Sequence, residues 1–232
     1  MRVIFALTGT NFSQHFLLAW TNLLKALIEA KIDFLIAQGV SSHVAFARLK
    51  SWGYNVMNGE SQKPYGNGAI PYDRIMCIDS DIVFTPEQFF AMLDAPHDVV
   101  TGAYLMSDRT NFACVETWDI DYFSKNGTFK FLGPKDVEEW RQANTGQNYM
   151  KISYNGLGWC MMKQGVLERL SYPPVYRPLE RIPTGKTGPD DVKELVDMTS
   201  EDVGLMKNMQ DAGIDVYLDT RIKVGHEKSF VI

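Results

Sequence analysis

The sequence has little cysteine and no long apolar run. Three cysteines among 232 residues are too few and too scattered for a disulfide framework or a cysteine zinc site. No stretch approaches the ~20 apolar residues of a membrane-spanning helix, so no membrane span is expected. The apolar residues 1–7 run directly into Thr8-Gly-Thr-Asn11, without a small-residue cleavage site. This start predicts a first strand in a soluble, cytoplasmic protein.

Positive charge and glycine-rich phosphate loops are also scarce. The 23 Lys and Arg residues against 28 Asp and Glu leave a net charge of −5, which argues against a broad nucleic-acid-binding surface. No Gly-x-Gly-x-x-Gly follows the first strand, which disfavours a nicotinamide enzyme. Gly185-Lys-Thr187 lacks the glycine five positions earlier that a phosphate-binding loop requires.

Short apolar runs alternate with amphipathic segments in the first half of the chain. Strands are expected at residues 2–8, 33–37, 74–78 and 98–104. Helices are expected at residues 16–30 and 41–52 and after Thr85-Pro-Glu-Gln88, which matches a capping box with proline at the first helical position. The alternation predicts one α/β domain over residues 1–232, built on a mostly parallel sheet.

The second half is less regular. The segments 112–115 and 128–131, with Asn126-Gly127 between them, predict an antiparallel hairpin region. Residues 171–200 hold five of the ten prolines and predict a long loop, which in a compact domain is usually functional. A helix from Thr199 to Ala212 and short strands at residues 215–218 and 222–226 are expected after this loop.

Asp79-Ser80-Asp81 comes directly after the buried strand 74–78. A carboxylate pair at the end of a parallel strand points into the crevice where open α/β sheets bind ligands. Two hard oxygen donors there suit Mg²⁺ or Mn²⁺. Trp118-Asp-Ile-Asp-Tyr122 has the same spacing but no buried strand before it, so we expect a solvated hairpin face there.

The acidic motif and the segment after it resemble the glycosyltransferases of GT-A fold, most closely the family-2-like enzymes that include forms in phages and large viruses. Asp79-Ser-Asp81 continues into Ile82-Val-Phe-Thr-Pro86 and a helix, as in that family. Three later segments are similar in the same order: Gly156-Leu-Gly-Trp159, Met198-Thr-Ser-Glu-Asp-Val-Gly204 and Val224-Gly-His226. The resemblance runs from strand 2–8 to residue 226 and rests on the order and spacing of short motifs.

The resemblance implies a GT-A (Rossmann-like) fold and metal-dependent transfer of a sugar from a nucleotide-diphosphate donor. A UDP-sugar is favoured and a GDP-sugar is compatible; the acceptor would be a hydroxyl of a glycan, a protein or a small molecule. Mn²⁺ or Mg²⁺ would be held by Asp79, Asp81 and His226, with the ribose as an alternative contact of Asp79. A clamped cation stabilises the charge that builds on a departing nucleoside diphosphate.

The acidic helix start supplies the implied catalytic residues. One of Glu201 and Asp202, by position Asp202, would be the general base in inverting members, although a capping box from Thr199 explains the same acids. The resemblance also implies nucleotide or donor contacts for Thr8, Gly9, Gln38, Arg48, Ser80, Gly156, Gly158 and Trp159. An exposed helix arginine is the alternative for Arg48.

The sequence also leaves other functions open. A haloacid-dehalogenase-like Mg²⁺-dependent phosphatase also places Asp-x-Asp after a buried strand, with the first aspartate as nucleophile, but here two strand–helix units precede that strand. A nucleotidyltransferase shares the architecture but usually opens with a glycine-rich basic loop, which Leu7-Thr-Gly-Thr-Asn11 lacks. A catalytically inactive nucleotide-sugar or glycan-binding module of the same fold is the non-enzymatic alternative.

Overall fold

The computed structural model describes residues 1–197 and 199–228. The strands of these ranges are β1 Arg2–Thr8, β2 Asp33–Gly39, β3 Arg74–Asp79, β4 Ile82–Val83, β5 Val99–Ala103, β6 Cys114–Val115, β7 Tyr149–Ile152, β8 Tyr154–Asn155, β9 Trp159–Lys163, β10 Glu180–Pro183, β11 Glu194–Asp197, β12 Val216–Lys223 and β13 Gly225–His226. The helices are α1 Gln14–Glu29, α2 Val44–Ser51, α3 Pro64–Asn67, α4 Pro86–Leu93, α5 Ile120–Asn126, α6 Pro134–Ala143 and α7 Glu201–Asp211, with 3₁₀ turns at Val56–Asn58 and Leu167–Arg169.

Seven strands form a central sheet in the order β2-β1-β3-β9-β5-β12-β7. The pairs β1–β2, β1–β3 and β5–β12 are parallel, whereas β9 runs antiparallel to both β3 and β5, and β7 runs antiparallel to β12. Two-residue strands add small antiparallel pairs beside this sheet. The architecture confirms the predicted α/β class with a mostly parallel, Rossmann-like sheet of GT-A type.

Helices cover the sheet because their apolar stripes match its two faces. In α1, Ser13 caps the first turn by accepting the Phe16 N–H at 3.0 Å, and Phe16, Ala19, Leu23 and Leu27 are buried at helical spacing. In α4 the predicted capping box is confirmed, since the Thr85 and Gln88 side chains each accept the other's backbone N–H.

The small antiparallel pairs expected beside the sheet are present, but the strand pairing predicted inside the region 105–160 is not the one observed. Helices α5 and α6 lie within this region, and Cys114–Val115 pairs with Tyr154–Asn155, far along the chain, rather than with 128–131. Asn126-Gly127 ends α5, where Gly127 has φ 67° and donates its N–H to the Phe123 carbonyl at 2.8 Å. A helix end and a hairpin turn both need a residue at positive φ, so the dipeptide alone does not separate them.

Three smaller expectations also need correction. The stretch 171–200 contains the antiparallel pair β10–β11. Helix α7 begins at Glu201 with Ser200 at its N-cap and no side-chain capping bond, so the capping box from Thr199 does not form. The two short strands after residue 214 are mostly one long strand, β12, with an irregularity between Leu218 and Lys223.

Two further points concern the motifs and the chain as a whole. The second Asp-x-Asp is exposed as expected, but at the start of α5, where Asp119 is the N-cap. Met198, the first residue of the acidic motif, lies outside the described residues. Across the two described ranges, no helix combines the length and apolar character required to cross a membrane.

Candidate active site

The candidate site lies where the parallel strands end. Thr8 at the end of β1 is in register with Asp79 at the end of β3. Because β9 runs the opposite way, it begins at this same edge, and the Asp79 N–H donates to the Gly158 carbonyl at 3.0 Å. The topology therefore gathers the first strand, the Asp-x-Asp motif and the glycine-rich segment at one edge of the sheet.

Asp79 is held by a buried arginine. Arg48 in α2 forms an ion pair of 2.6 Å with Asp79 Oδ1 and donates from Nη2 to Oδ2 at 3.0 Å. The Thr8 hydroxyl donates to Asp79 Oδ1 at 2.5 Å and accepts from Arg48 Nη1 at 3.0 Å. Only 4% of the Arg48 side chain is exposed, so the alternative of an exposed helix arginine is wrong. Burial alone would lower the pKa of Arg48, but the Asp79 charge raises it above its ordinary value.

The same arginine reaches the start of α7. Arg48 Nε lies 3.8 Å from Glu201 Oε1, and this buried nitrogen has no hydrogen-bond partner among the described residues. Burial, followed by the neighbouring Asp202 charge, raises the pKa of Glu201 above its usual value, against the lowering effect of Arg48. Glu201, Arg48, Asp79 and Thr8 thus form a continuous polar chain through the base of the site.

Asp202 is bound more completely than Glu201. The Tyr154 hydroxyl donates to Asp202 Oδ2 at 2.7 Å, and the Val203 N–H donates to Oδ1 at 2.8 Å. The Ser200 hydroxyl also bonds Oδ1. Since both carboxylate oxygens already accept hydrogen bonds, Asp202 fixes the start of α7 against β8, and Glu201 is the acid with the freer carboxylate.

Asp81 meets His226 through the small sheet formed by β4 and β13. His226 is in register with Ile82, the residue after Asp81, and His226 Nε2 lies 3.1 Å from Asp81 Oδ2. Lys228 Nζ lies 2.7 Å from the same oxygen. Burial alone would raise the pKa of Asp81, but the hydrogen bonds from His226 and Lys228 lower it to about 2. Asp81 is therefore a charged carboxylate at neutral pH, with a histidine beside it.

The Asp81–His226 pair fits one side of a divalent metal site. His226 Nδ1 lies 2.6 Å from the Leu105 carbonyl oxygen, which can only accept, so Nδ1 carries a proton. Nε2 donates to Asp81, and a bound metal ion would take the place of the Nε2 proton. Metal-binding histidines usually have their second nitrogen fixed in this way. Neighbouring ligands of an octahedral Mg²⁺ at ~2.1 Å lie about 3.0 Å apart, which matches the separation of Nε2 and Oδ2.

The described residues do not complete such a site by themselves. Across residues 1–197 and 199–228, no group of three or more His, Cys, Asp or Glu side chains is arranged to hold a metal ion. Asp79, the third expected ligand, has its oxygens bonded to Arg48 and Thr8. Mg²⁺ is commonly bound by one or two carboxylates together with water and substrate phosphates, and a two-ligand site of this kind suits that mode.

Two glycines allow close approach at the edge of the sheet. Gly9 has φ 123°, and a Cβ there would lie 2.5 Å from Ser80 Oγ. A Cβ on Gly158 would lie 3.0 Å from Tyr104 Oη and 3.2 Å from Asp79 Oδ2. Both glycines therefore keep the expected donor-binding segments packed against the Asp-x-Asp motif.

Of the remaining residues expected to contact the donor, Gln38 and Gly156 lie at the site, whereas Trp159 lies in the core. Gln38 donates from Nε2 to the Gly9 carbonyl at 3.1 Å, which ties the end of β2 to the loop after β1. Gly156 packs against Tyr104. Trp159 is fully buried and stacks near Phe84, with ring centroids 4.7 Å apart. It lies in the core beneath the site, not on a surface open to a donor.

Sequence reasoning missed Tyr104, Tyr154 and Lys228. Tyr104 directly follows β5 and accepts the Gly158 N–H at 3.1 Å, and its position after a strand end was the available signal. Lys228 lies two residues after His226, just beyond the end of β13, and this proximity in sequence was the available signal. Tyr154 gave no signal, because its partner Asp202 is distant in sequence.

Comparisons with known proteins bear on the fold. No protein-family model matches the chain, and no curated protein matches it. Among solved structures, the one titled "Crystal Structure of A197 from STIV" is similar with a TM-score of 0.55 and 16% sequence identity, covering 99% of this chain and 87% of that one. At this identity the likeness shows a shared fold over nearly the whole chain.

Proposed function

We propose that the protein is a glycosyltransferase that takes a sugar from a nucleoside-diphosphate donor with the help of Mn²⁺ or Mg²⁺. The observation that carries the proposal is the pairing of Asp81 with His226, 145 residues apart, at 3.1 Å on the carboxyl edge of a GT-A-like sheet. The histidine tautomer and the ligand separation both suit a metal ion shared with a substrate diphosphate. When bound there, the cation offsets the negative charge that develops on the leaving nucleoside diphosphate.

In this proposal the chain's own residues orient the donor. Thr8, Gly9, Gln38 and Ser80 line the loops at the ends of β1, β2 and β3, where the base and ribose would lie. Arg48 neutralises Asp79 and fixes its rotamer, which favours a ribose contact for Asp79 over metal ligation. The donor is proposed to be a UDP-sugar, with a GDP-sugar as the alternative.

Glu201 is proposed to take the proton of the acceptor hydroxyl. Its pKa is raised by burial, which makes it a stronger base than an ordinary exposed carboxylate. Asp202 was the expected base by position, but its oxygens are occupied by Tyr154, Ser200 and the Val203 N–H. Asp202 is better suited to hold α7 in place.

The ion pair at Asp79 weighs against the phosphatase. A nucleophilic aspartate needs an oxygen free to attack phosphorus, whereas both Asp79 oxygens are engaged by Arg48. No such observation favours the nucleotidyltransferase or the inactive binding module, and the latter is tested by turnover.

The test is a thermal-stability titration with UDP, GDP and their sugar conjugates, with and without Mn²⁺. A ligand at 100 times its Kd stabilises the folded state by about 2.7 kcal/mol, or about 5–10 °C in Tm for a chain of this size. We expect one nucleotide to give this shift only with Mn²⁺, and Asp81→Asn to lose it. Asp121→Asn is the matched control, from the exposed Asp-x-Asp of α5, and should keep the shift.

A turnover assay then measures release of the free nucleoside diphosphate from the donor. Glu201→Gln should retain nucleotide binding and lose transfer. If no nucleotide shifts the Tm while phosphate analogues with Mg²⁺ do, the transferase proposal fails and the phosphatase takes its place. Binding without any turnover across a panel of sugar acceptors would favour the inactive module.

A further inference from the structure

A second cleft opens beside His226, away from the nucleotide loops. It has a volume of about 420 Å³ and lies between the segment after β5, residues 105–109, and the end of β12 with β13, residues 223–228. In the sheet order β2-β1-β3-β9-β5-β12, Thr8 and Arg48 stand on the β1–β2 side of Asp79. The cleft therefore lies on the opposite side of the Asp-x-Asp motif from the proposed base and ribose contacts.

Positive charge is concentrated in this cleft. Among the described residues, its lining includes Arg109, Lys223, His226 and Lys228 and contains no carboxylate. The whole chain, by contrast, carries a net charge of −5. Lys228 is paired with Asp81, and the Lys223 ammonium lies 5.5 Å from the centroid of the Phe112 ring. In a protein of overall negative charge, such a pocket selects anions by a local field.

The backbone that carries Arg109 is held in an uncommon conformation. Arg109 has φ 59°, which is rare for a residue other than glycine and is enriched at functional sites. The Asp108 carboxylate accepts the N–H groups of Thr110 and Asn111 at 2.9 and 3.0 Å, and the Arg109 N–H donates to the Met106 carbonyl at 3.1 Å. This turn fixes the point from which Arg109 reaches the cleft.

A neutral sugar does not require this arrangement. Hydroxyl groups are recognised by neutral donors and acceptors, whereas guanidinium and ammonium groups bind phosphate and carboxylate oxygens through stronger charge-assisted hydrogen bonds. Ser107 adds a hydroxyl to the lining, which suits the sugar part of an anionic sugar. The lining thus brings Arg109 and Lys223 together with few other polar groups.

We infer that this cleft binds an anionic group, a phosphate or a carboxylate, carried by the acceptor. The inference rests on the proposed transfer reaction, since it assigns the acceptor side of that same site. Arg109 and Lys223 bind the anionic group, and the acceptor hydroxyl is thereby directed toward the Asp81–His226 pair. The donor diphosphate is the other possible source of the negative charge, and the experiment separates the two.

The experiment measures two dissociation constants on the full chain by isothermal titration calorimetry at constant ionic strength. The first is that of UDP with Mn²⁺. The second is that of glucose 6-phosphate in the presence of UDP and Mn²⁺, with glucuronate and neutral glucose as comparison probes. The variants are Lys223→Gln and, separately, Arg109→Asn, because asparagine tolerates positive φ and preserves the turn. Lys25→Gln, an exposed lysine of α1, is the control.

We expect glucose 6-phosphate to bind at least about tenfold more tightly than glucose, and each variant to weaken it by about tenfold. The Kd of UDP should stay within about twofold, and Lys25→Gln should match the unaltered protein. Equal affinity for glucose 6-phosphate and glucose would overturn the inference. A parallel loss of UDP affinity would overturn it in favour of the donor diphosphate.

Failure of the proposed transfer reaction would give a different experimental result from failure of the acceptor inference. In that case neither UDP nor GDP binds the unaltered protein with Mn²⁺, while glucose 6-phosphate binding still depends on Lys223. That result would reject the transfer reaction, and the acceptor assignment with it. Intact folding of each variant is checked by its Tm in the absence of ligands.

Discussion

Replacing Arg48 by methionine tests the polar chain at the base of the site. Methionine keeps much of the apolar stem of arginine and removes its charge. Asp79 and Glu201 would then lose their shared cation, while the Thr8 hydroxyl would still donate to Asp79. The variant therefore measures what a single buried positive charge contributes to the fold.

The burial of the three side chains sets the expected magnitude. Removing one partner of a buried ion pair costs ~3–5 kcal/mol. The side chains of Arg48 and Glu201 are 4% and 10% exposed, but that of Asp79 is 30% exposed and partly hydrated. We therefore expect the lower end, about 3 kcal/mol, which corresponds to a fall in Tm of about 6–12 °C.

The assay is urea unfolding of Arg48→Met, Asp79→Asn and the double variant. The double variant should be less destabilised than the sum of the single ones, because the lost charges are partners, with a coupling of about 1–3 kcal/mol. Arg141→Met in α6 is the control; its side chain is 49% exposed and 3.6 Å from Glu138, so its effect should stay below about 1 kcal/mol. If Arg48→Met unfolds at the same urea concentration as Arg141→Met, the buried ion pair does not stabilise the fold as argued.

Three further outcomes are expected from contacts at the site. Gly158→Ala should lower the free energy of unfolding by about 1–3 kcal/mol, because its Cβ would press on Tyr104 at 3.0 Å; an unchanged urea midpoint would contradict that packing. Tyr154→Phe should cost about 1–2 kcal/mol, since Asp202 loses the donor at 2.7 Å; the check is a shifted midpoint at constant m-value. A chelator should leave the Tm of nucleotide-free protein unchanged and remove the stabilisation that nucleotide and Mn²⁺ give together, whereas a fall without nucleotide would mean that the protein binds the metal alone.

Local patterns predicted the elements that depend on local chemistry. The period-3.6 stripe of α1 and the capping signals of α4 identify both helices, since the residues that form each contact lie within one or two turns. The hairpin-turn signal of Asn126-Gly127 was wrong, because the structure has a helix end there. Cys114–Val115 pairs with Tyr154–Asn155, a distant segment. Such pairings produce no periodic pattern in the sequence and so could not be predicted from it.

In the candidate site, too, features set by local sequence were predicted, and contacts between distant residues were not. The position of Asp79 and Asp81 after a buried strand placed them at the correct edge of the sheet, because strand ends follow from strand order. The sequence did not predict the ion pairs of the two aspartates. Arg48 and Lys228, which form these pairs with Asp79 and Asp81, are distant in sequence and approach them only in the folded chain. The metal and catalytic roles of these residues stay predictions until ligands are tested.

The pairing of Asp81 with His226 also has a consequence for the timing of synthesis. The two residues are 145 positions apart, and ribosomes add about 5–20 residues per second. Some ~7–30 s therefore pass between the emergence of the aspartate and that of its histidine. During that interval β4 lacks the strand it pairs with, so a stalled or truncated nascent chain holds Asp81 without the histidine and the lysine that bind it.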